Sequence, residues 1–514
     1  MSTLLLLIIL VCLIVCSYRY MRHDLVNPTI LLALPLVAAV SGGLLYYEQW
    51  QFNLQWSTVL LVGGSVLFFF LGNLLPYALL HVRYKRAQLS NKQTALVGSP
   101  HLSQGPQVQN PAWEKVNHAV MGKKFQLIFF SLLLIFQISV YALVYRHILS
   151  VVSSYHGKVM SDRTSAIGVY DQLVKFSNVN TALPSWLRAC TLFCGTIGLP
   201  LVYLLVSQMI RSKDRFITQV KKNPQFLIIM LNLIPSACGN LITGGKAGTV
   251  WFILSALVVG YLVVANVRGQ RQRSITWKLV FRIVALLAGL VILTLLLVFV
   301  VGRNMKDYHN GPLGYLLIYL SGGMKNLDIY VSSVHPMSGH WGIQTFKSLY
   351  RFFDISIPDV GLETYHHVGK AWFGNVYTAF ADPYYDFGIA GTLLAMLILG
   401  ILFGYIFIHT YTQVSFNTNQ SASHQLNGAD AQSIKTQWRD QSHLAEANTS
   451  RTTVFAILVY GYLIRALFFA FFSNILFTSI FSVGFVFRCG IWLVFVLLFI
   501  PRRGDDLARD ALSE

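Results

Sequence analysis

Charge is what this chain has least of. Asp, Glu, Lys and Arg make up 11% of its 514 residues, against roughly 25% in a soluble domain, which excludes a water-soluble globule. Acids are scarcer still, with 20 Asp and Glu against 39 Lys and Arg and a net charge of +19. Cysteine is rare as well. The six, Cys12, Cys16, Cys190, Cys194, Cys238 and Cys489, all lie in or beside apolar runs, and none forms a C-x-x-C pair. That pattern offers no disulfide framework. Short alternating strands are absent too, which removes an outer-membrane barrel.

What is present is apolar sequence. It amounts to 55% of the chain, at a mean hydropathy of +0.56. Runs of about 18 or more apolar residues recur along the whole length and predict membrane-spanning helices. The expected fold is an all-α polytopic membrane protein with eleven helices. They cover 4–16, 28–47, 57–80, 125–145, 187–210, 225–243, 249–267, 279–301, 387–409, 452–472 and 481–500. The first run is not read as a signal peptide. No Lys or Arg precedes it, and Arg19 and Arg22 follow it, so it predicts a retained helix with its N-terminus outside.

The basic residues then act as a topology signal. With the N-terminus outside and the C-terminus cytoplasmic, 24 of the 39 Lys and Arg fall in inside loops and eleven in outside loops. The opposite orientation inverts this bias. Charge placed beside apolar runs gives no reason to expect nucleic-acid binding. The expected organisation is helices one to eight over 1–301, with a cytoplasmic loop at 81–124 and an outer loop at 146–186. A large extracytoplasmic loop follows at 302–386, then helix nine at 387–409 and a flexible cytoplasmic linker at 410–451, rich in Ser, Asn, Gln and Thr. Helices ten and eleven occupy 452–500, and 501–514 forms a cytoplasmic tail.

Four basic residues remain inside the predicted helices: Arg188, Arg282, Arg465 and Arg488. An arginine in the hydrocarbon layer costs at least roughly 2.5–3.5 kcal/mol on insertion scales and needs a partner or a purpose. Arg282 lies in the first turn of its helix and can snorkel. Arg188, Arg465 and Arg488 come from three helices and fall at about the same depth, below the long outer loop. No embedded Asp or Glu neutralises them; Asp386, at the mouth of helix nine, is the nearest candidate. Such a set suits an anion carried by a ligand, and phosphate or pyrophosphate matches the planar, bidentate guanidinium.

The loop at 302–386 is the largest polar stretch that still carries aromatics and glycines. A break is expected at Ser321-Gly322-Gly323, and a surface amphipathic helix from Thr345 to Arg351. His335, His340, Glu363, His366 and His367 raise the question of a metal. The E-x-x-H-H string is not a zincin signature, because adjacent histidines cannot share a helix face, so no metal is expected. One of Glu363, His366 and His367 could instead serve as a general base or bind sugar; ordinary loop hydrogen bonding is the alternative. Asn375, Tyr377, Asp382, Tyr384, Tyr385 and Asp386 form the densest cluster. It reads either as an interfacial aromatic belt or as a carbohydrate platform.

These residues resemble a known family. Tyr319, Ser321-Gly322-Gly323-Met324-Lys325-Asn326, then Gln344-Thr345-Phe346, then Asn375-Val376-Tyr377-Thr378-Ala379-Phe380, and Tyr385-Asp386-Phe387-Gly388 with Gly391 carry the likeness. Asn27-Pro28 and the late-helix Arg465 extend it. The pattern resembles the Wzy-type oligosaccharide repeat-unit polymerases of bacteria, which build O-antigen, capsule and exopolysaccharide. The segments at 81–124 and 411–451 are not part of that pattern.

The resemblance implies a GT-C-like fold, related to the ligases and polymerases, in the bacterial cytoplasmic membrane. It implies an inverting glycosyltransferase that needs no metal, cofactor or nucleotide sugar. Donor and acceptor would both be oligosaccharides on undecaprenyl pyrophosphate, with a flippase and a chain-length regulator as partners. The implied pyrophosphate ligands are Arg188, Arg303, Arg351, Arg465 and Arg488. The base comes from His366, His367, Glu363, Asp382 or Asp386, with Asp386 alternatively orienting Arg465 or Arg488. Sugar contacts fall to Asn375, Tyr377, Asp382, Tyr384 and Tyr385. A flippase for the same lipid-linked sugars and an O-antigen-ligase-like transferase are the competing readings.

Overall fold

In a computed structural model of the chain, the described residues are 1–21, 24–97, 123–155, 165–176, 181–212, 216–242, 246–267, scattered positions within 285–296, 311–333, 341–357, 367–368, 371–373, 376–411 and 450–500. Their regular structure is helical apart from a two-residue antiparallel pairing of His367–Val368 with Ala371–Trp372. Eight helical stretches among them are long and apolar enough to cross a membrane. They are Ser2–Tyr20, Pro28–Leu45, Trp56–Leu79, Lys124–Ser153, Ser185–Ile210, Ala247–Asn266, Ala381–His409 and Arg451–Phe468. Two shorter apolar helices, Pro224–Gly239 and Val483–Phe499, occupy expected spans. The expected helix at 279–301 falls almost entirely outside the described residues. Large apolar side chains cover the outer surface: Ile8 and Val15 are each 58% exposed and Ile135 is 62% exposed. Lipid, not water, suits such a surface. The chain is an all-α polytopic membrane protein.

In chain order the helices are α1 (Ser2–Tyr20), α2 (Pro28–Leu45), α3 (Trp56–Val97), α4 (Lys123–Ser153), α5 (Ala166–Phe176), α6 (Ser185–Thr196), α7 (Gly198–Arg211), α8 (Phe216–Lys222), α9 (Pro224–Ile242) and α10 (Lys246–Val267). There follow α11 (Gly311–Ser333), α12 (Lys347–Phe352), α13 (Ala381–His409), α14 (Arg451–Phe468), α15 (Ile475–Ile480) and α16 (Val483–Phe499). The most extensive pairing joins α3 to α13. It depends on glycine, because a Cβ on Gly72 would sit 2.2 Å from the Leu397 carbonyl oxygen, and one on Gly400 would sit 2.2 Å from that of Phe69. Small residues that let backbones touch are the usual glue between helices in lipid. Asn27 caps α2 by accepting from the Ile30 amide at 3.0 Å, with Pro28 at the first helical position. Arg451 opens α14 and donates from Nε to the Ile500 carbonyl at 2.8 Å, which sets α14 antiparallel to α16.

Three expectations need correcting. The span at 187–210 is two helices, α6 and α7, parted at Ile197. The break expected at Ser321–Gly323 is absent: α11 runs unbroken through it and packs against α2, with residues 321–328 buried. The glycines there serve close contact. A Cβ on Gly323 would sit 2.7 Å from the Phe471 carbonyl oxygen. Finally, α13 begins at Ala381, and its interruption lies at Gly388, whose φ of 67° suits glycine.

The buried face of α11 carries charge. Lys325 Nζ donates to the Gln51 carbonyl at 2.8 Å and pairs with Asp328 at 3.5 Å. Asp328 Oδ1 accepts from the Gln55 amide and the Thr58 hydroxyl, both at 2.8 Å. The pair ties α11 to the start of α3. Removing one partner of a buried pair strands the other, at about 3–5 kcal/mol. Asp328→Ala is therefore expected to lower the thermal unfolding temperature of the purified chain sharply. Lys325→Met on that background, which removes the stranded cation, should recover part of the loss.

Candidate functional site

The antiparallel arrangement of α14 and α16 decides where their arginines meet. Arg465 lies roughly 21 Å along α14 from Arg451, and Arg488 lies roughly 18 Å back along α16 from Ile500, at about 1.5 Å per residue. They come level. Both line a cavity of about 240 Å³, and Arg188 of α6 lines it as well. Arg188, Arg465 and Arg488, expected from the sequence at about one depth, thus line one cavity. Thr196, Ser236, Trp251, Tyr462 and Trp492 also form the wall.

Each guanidinium is held by neutral groups. The Arg465 Cζ lies 3.9 Å from the Tyr462 ring centroid and 5.3 Å from that of Trp251. Its Nη2 also donates to the Tyr462 hydroxyl. Arg488 Nη1 donates to Thr196 Oγ1 at 2.8 Å, and its Cζ lies 5.0 Å from the same Tyr462 ring. One aromatic ring thus serves two cations, which is how a ring quadrupole substitutes for a counter-ion. Arg188 is exposed at the rim and donates to the Leu183 carbonyl at 3.3 Å. Among the described residues the ion pairs are Lys325 with Asp328 and Lys347 with Asp382, so no carboxylate bridges these arginines.

The helix break seen between α6 and α7 belongs to this site. Thr196 ends α6, and its carbonyl, freed by the break, accepts from the Trp492 indole at 3.0 Å. Its hydroxyl accepts from Arg488 while donating to the Leu192 carbonyl at 2.6 Å. Irregular backbone at membrane depth persists where protein groups satisfy it or where it lines a cavity, and both conditions hold here.

The stretches at 319–326 and 376–388 pack beside the segment that follows Arg465. The Ala379 amide donates to the Ala470 carbonyl at 2.7 Å, Asn326 Nδ2 to the Val376 carbonyl at 2.8 Å, and the Tyr319 ring stacks on Phe472 at 5.4 Å. The first and third reach the segment that directly follows Arg465, and the second joins α11 to the backbone just before α13. Asp382 is buried, pairs with Lys347 at 3.3 Å and accepts from Asn474. Asp386 accepts from the Gln344 amide at 3.1 Å and from the Thr345 amide. It organises that turn. The alternative of Asp386 orienting Arg465 or Arg488 is not met, because the partners of Arg465 are Tyr462 and Trp251 and the partners of Arg488 are Thr196 and Tyr462.

The carbohydrate platform is corrected in part. Tyr377 and Tyr384 are each 6% exposed. Tyr377 packs edge-on against Tyr330 at 5.7 Å, and the Tyr384 hydroxyl donates to the Val331 carbonyl at 3.3 Å. Those rings belong to the core and offer no open face to a sugar. Tyr385 is only half-buried. Burial pushes the Tyr330 phenol above its usual range, with Tyr385 and Asp382 adding to the effect, so Tyr330 stays neutral. Arg351 is exposed on α12, outside the cavity wall. His367 pairs through its backbone with Trp372. Arg303, Glu363, His366 and Asn375 lie outside the described residues. Sequence reasoning missed Tyr462, Trp251, Thr196 and Trp492. Two carry a retrospective signal, since Tyr462 stands three residues before Arg465 and Trp492 four after Arg488, on the same helix faces.

Compared with family models, with curated proteins and with solved structures, the chain matches none.

Tyr462 offers a direct test of the cation–ring arrangement. Tyr462→Phe keeps the ring and loses one hydrogen bond, at about 1 kcal/mol. Tyr462→Ala removes the ring from both guanidinium groups and leaves a void, at about 3–5 kcal/mol. Chemical or thermal unfolding of the two variants should separate by that difference. Equal losses would show that the ring carries nothing beyond its hydroxyl.

Proposed function

We propose that this chain is a membrane glycosyltransferase that polymerises lipid-pyrophosphate-linked oligosaccharide repeat units. The observation that carries the reading is the pair Arg465 and Arg488, both against the Tyr462 ring and with no carboxylate among the described residues bridging them, in a cavity of about 240 Å³ within an apolar bundle. Two adjacent cations in such a place call for a ligand with at least two negative charges and several acceptor oxygens. A diphosphate on a polyprenyl tail meets both requirements, its anion at the arginines and its tail among the helices. The resemblance of the Ser321–Asn326 and Asn375–Gly391 residues to the repeat-unit polymerases supports the same reading. So does their packing against the segment that follows Arg465.

In this mechanism the acceptor sugar's hydroxyl oxygen attacks the anomeric carbon of the donor chain. The bond from that carbon to the pyrophosphate oxygen breaks, on the opposite face, so configuration inverts. The hydroxyl proton passes to a base, and the electron pair leaves with the lipid pyrophosphate. Arg465 and Arg488 act where that negative charge grows, with Arg188 at the rim. Preorganised donors of this kind contribute most in a site that excludes water. Asp382 and Asp386 have their oxygens engaged by Lys347, Asn474 and backbone amides, which suits them to positioning. The base is then His366, His367 or Glu363. The reading places the reaction at the outer face of a bacterial cytoplasmic membrane, in a GT-C-like fold of eleven spans with the N-terminus outside.

Reconstitution with a lipid-linked repeat unit tests this. The native chain is expected to give a ladder of lengthening products. Arg465→Ala and Arg488→Ala should each slow it by about 10²–10³-fold, as loss of an oxyanion donor does. Lipid-linked sugar crossing the bilayer without lengthening would favour a flippase, and a single transfer to a different acceptor would favour a ligase.

A further inference from the structure

Buried polar atoms without a partner are informative because each one costs free energy. Most of those among the described residues are amide oxygens or hydroxyls, which tolerate a missing partner better than an N–H does. Three are groups that can only donate: Arg465 Nε, Arg488 Nε and Trp251 Nε1. All three residues line the same cavity. Their coincidence points to an occupant that accepts from all of them. Trp251 reaches the site from α10, with its ring 5.3 Å from the Arg465 guanidinium. An unpaired indole N–H buried beside a guanidinium is unfavourable unless an acceptor bridges the pair. Trp492 differs, because its indole N–H is already given to the Thr196 carbonyl at 3.0 Å.

We infer that the Trp251 indole N–H is an anion-binding donor, and that together with Arg465 and Arg488 it forms a three-sided cradle for the oxygens of a diphosphate. This rests on the diphosphate reading of the cavity. It adds a neutral donor, from a third helix, to the orientation that the two planar guanidinium groups already impose. It also explains the choice of indole over phenyl. Either ring would lie over Arg465, and only indole also donates. Trp251 binds the leaving group and takes no part in proton transfer.

The test uses the full chain in detergent, with inorganic pyrophosphate and geranylgeranyl diphosphate as probes in separate calorimetric titrations. Trp251→Phe keeps a ring over Arg465 and against Phe469 (5.8 Å between centroids) and deletes only the N–H. It is expected to weaken both probes by about tenfold (about 1.4 kcal/mol) with an unchanged unfolding temperature. Affinity within twofold of native would overturn the inference, while binding lost in Arg465→Ala would leave the diphosphate reading standing. No saturable binding of either probe to the native chain would overturn both. Loss of geranylgeranyl diphosphate binding alone would overturn the inference too, since the contact would then lie with the lipid and not with the anion. A second measurement needs no variant. In the native chain carrying 5-fluorotryptophan, saturating pyrophosphate should shift one of the ten tryptophan resonances well beyond the rest, and a spectrum that does not move would overturn the inference.

Discussion

The protein is organised around an electrostatic problem, two guanidinium groups side by side in an apolar bundle. Their repulsion and desolvation are offset by one phenol. Tyr462 presents its ring to Arg465 at 3.9 Å and to Arg488 at 5.0 Å, and its hydroxyl accepts from Arg465. The ring is itself fixed, stacked on Phe485 at 5.7 Å and edge-on to Trp492 at 5.5 Å. Aromatic side chains can do this in a membrane because their edges satisfy lipid-facing packing while their faces carry negative potential. Carboxylates at the same place would neutralise the arginines and leave nothing for a ligand to bind.

A second constraint is how the long polar stretch is tied to that pair. The Lys325–Asp328 pair fastens α11 to the start of α3, while Asn326 and Ala379 fasten the neighbouring backbone. Ala379 reaches the segment following Arg465, at the Ala470 carbonyl. Within the stretch that looked along the sequence like a loop over a membrane, residues 321–328 and 377–384 are buried. Its polar residues are spent on joining helices, and the binding chemistry is concentrated in helices that look ordinary.

Legibility in the sequence followed from the strength of the physical signal. The spans are carried by long apolar runs, and ten of the eleven expected ones have a described helix at their positions. The three arginines were legible because cations in apolar runs are conspicuous and their depth follows from helical rise. The α6–α7 break was missed because hydropathy runs straight through it; its local signal is Pro200, which has no N–H to give the Thr196 carbonyl four residues earlier. The helix through Ser321–Gly323 was misread for the opposite reason. Small residues promise a turn in water, yet between packed helices they permit contact. Trp251 carries no local signal, since its role depends on an arginine more than two hundred positions away.

The join between α6 and α7 also bears on how the chain is made. The groups that complete it, the Trp492 indole and the Arg488 guanidinium, stand 296 and 292 positions later. During synthesis this span enters the bilayer with the Thr196 carbonyl still awaiting its donor. Helix α16 carries an arginine that is costly to insert alone. Each supplies what the other lacks, so closing the join and seating α16 go together, and the wall that Arg488 and Trp492 form comes with α16.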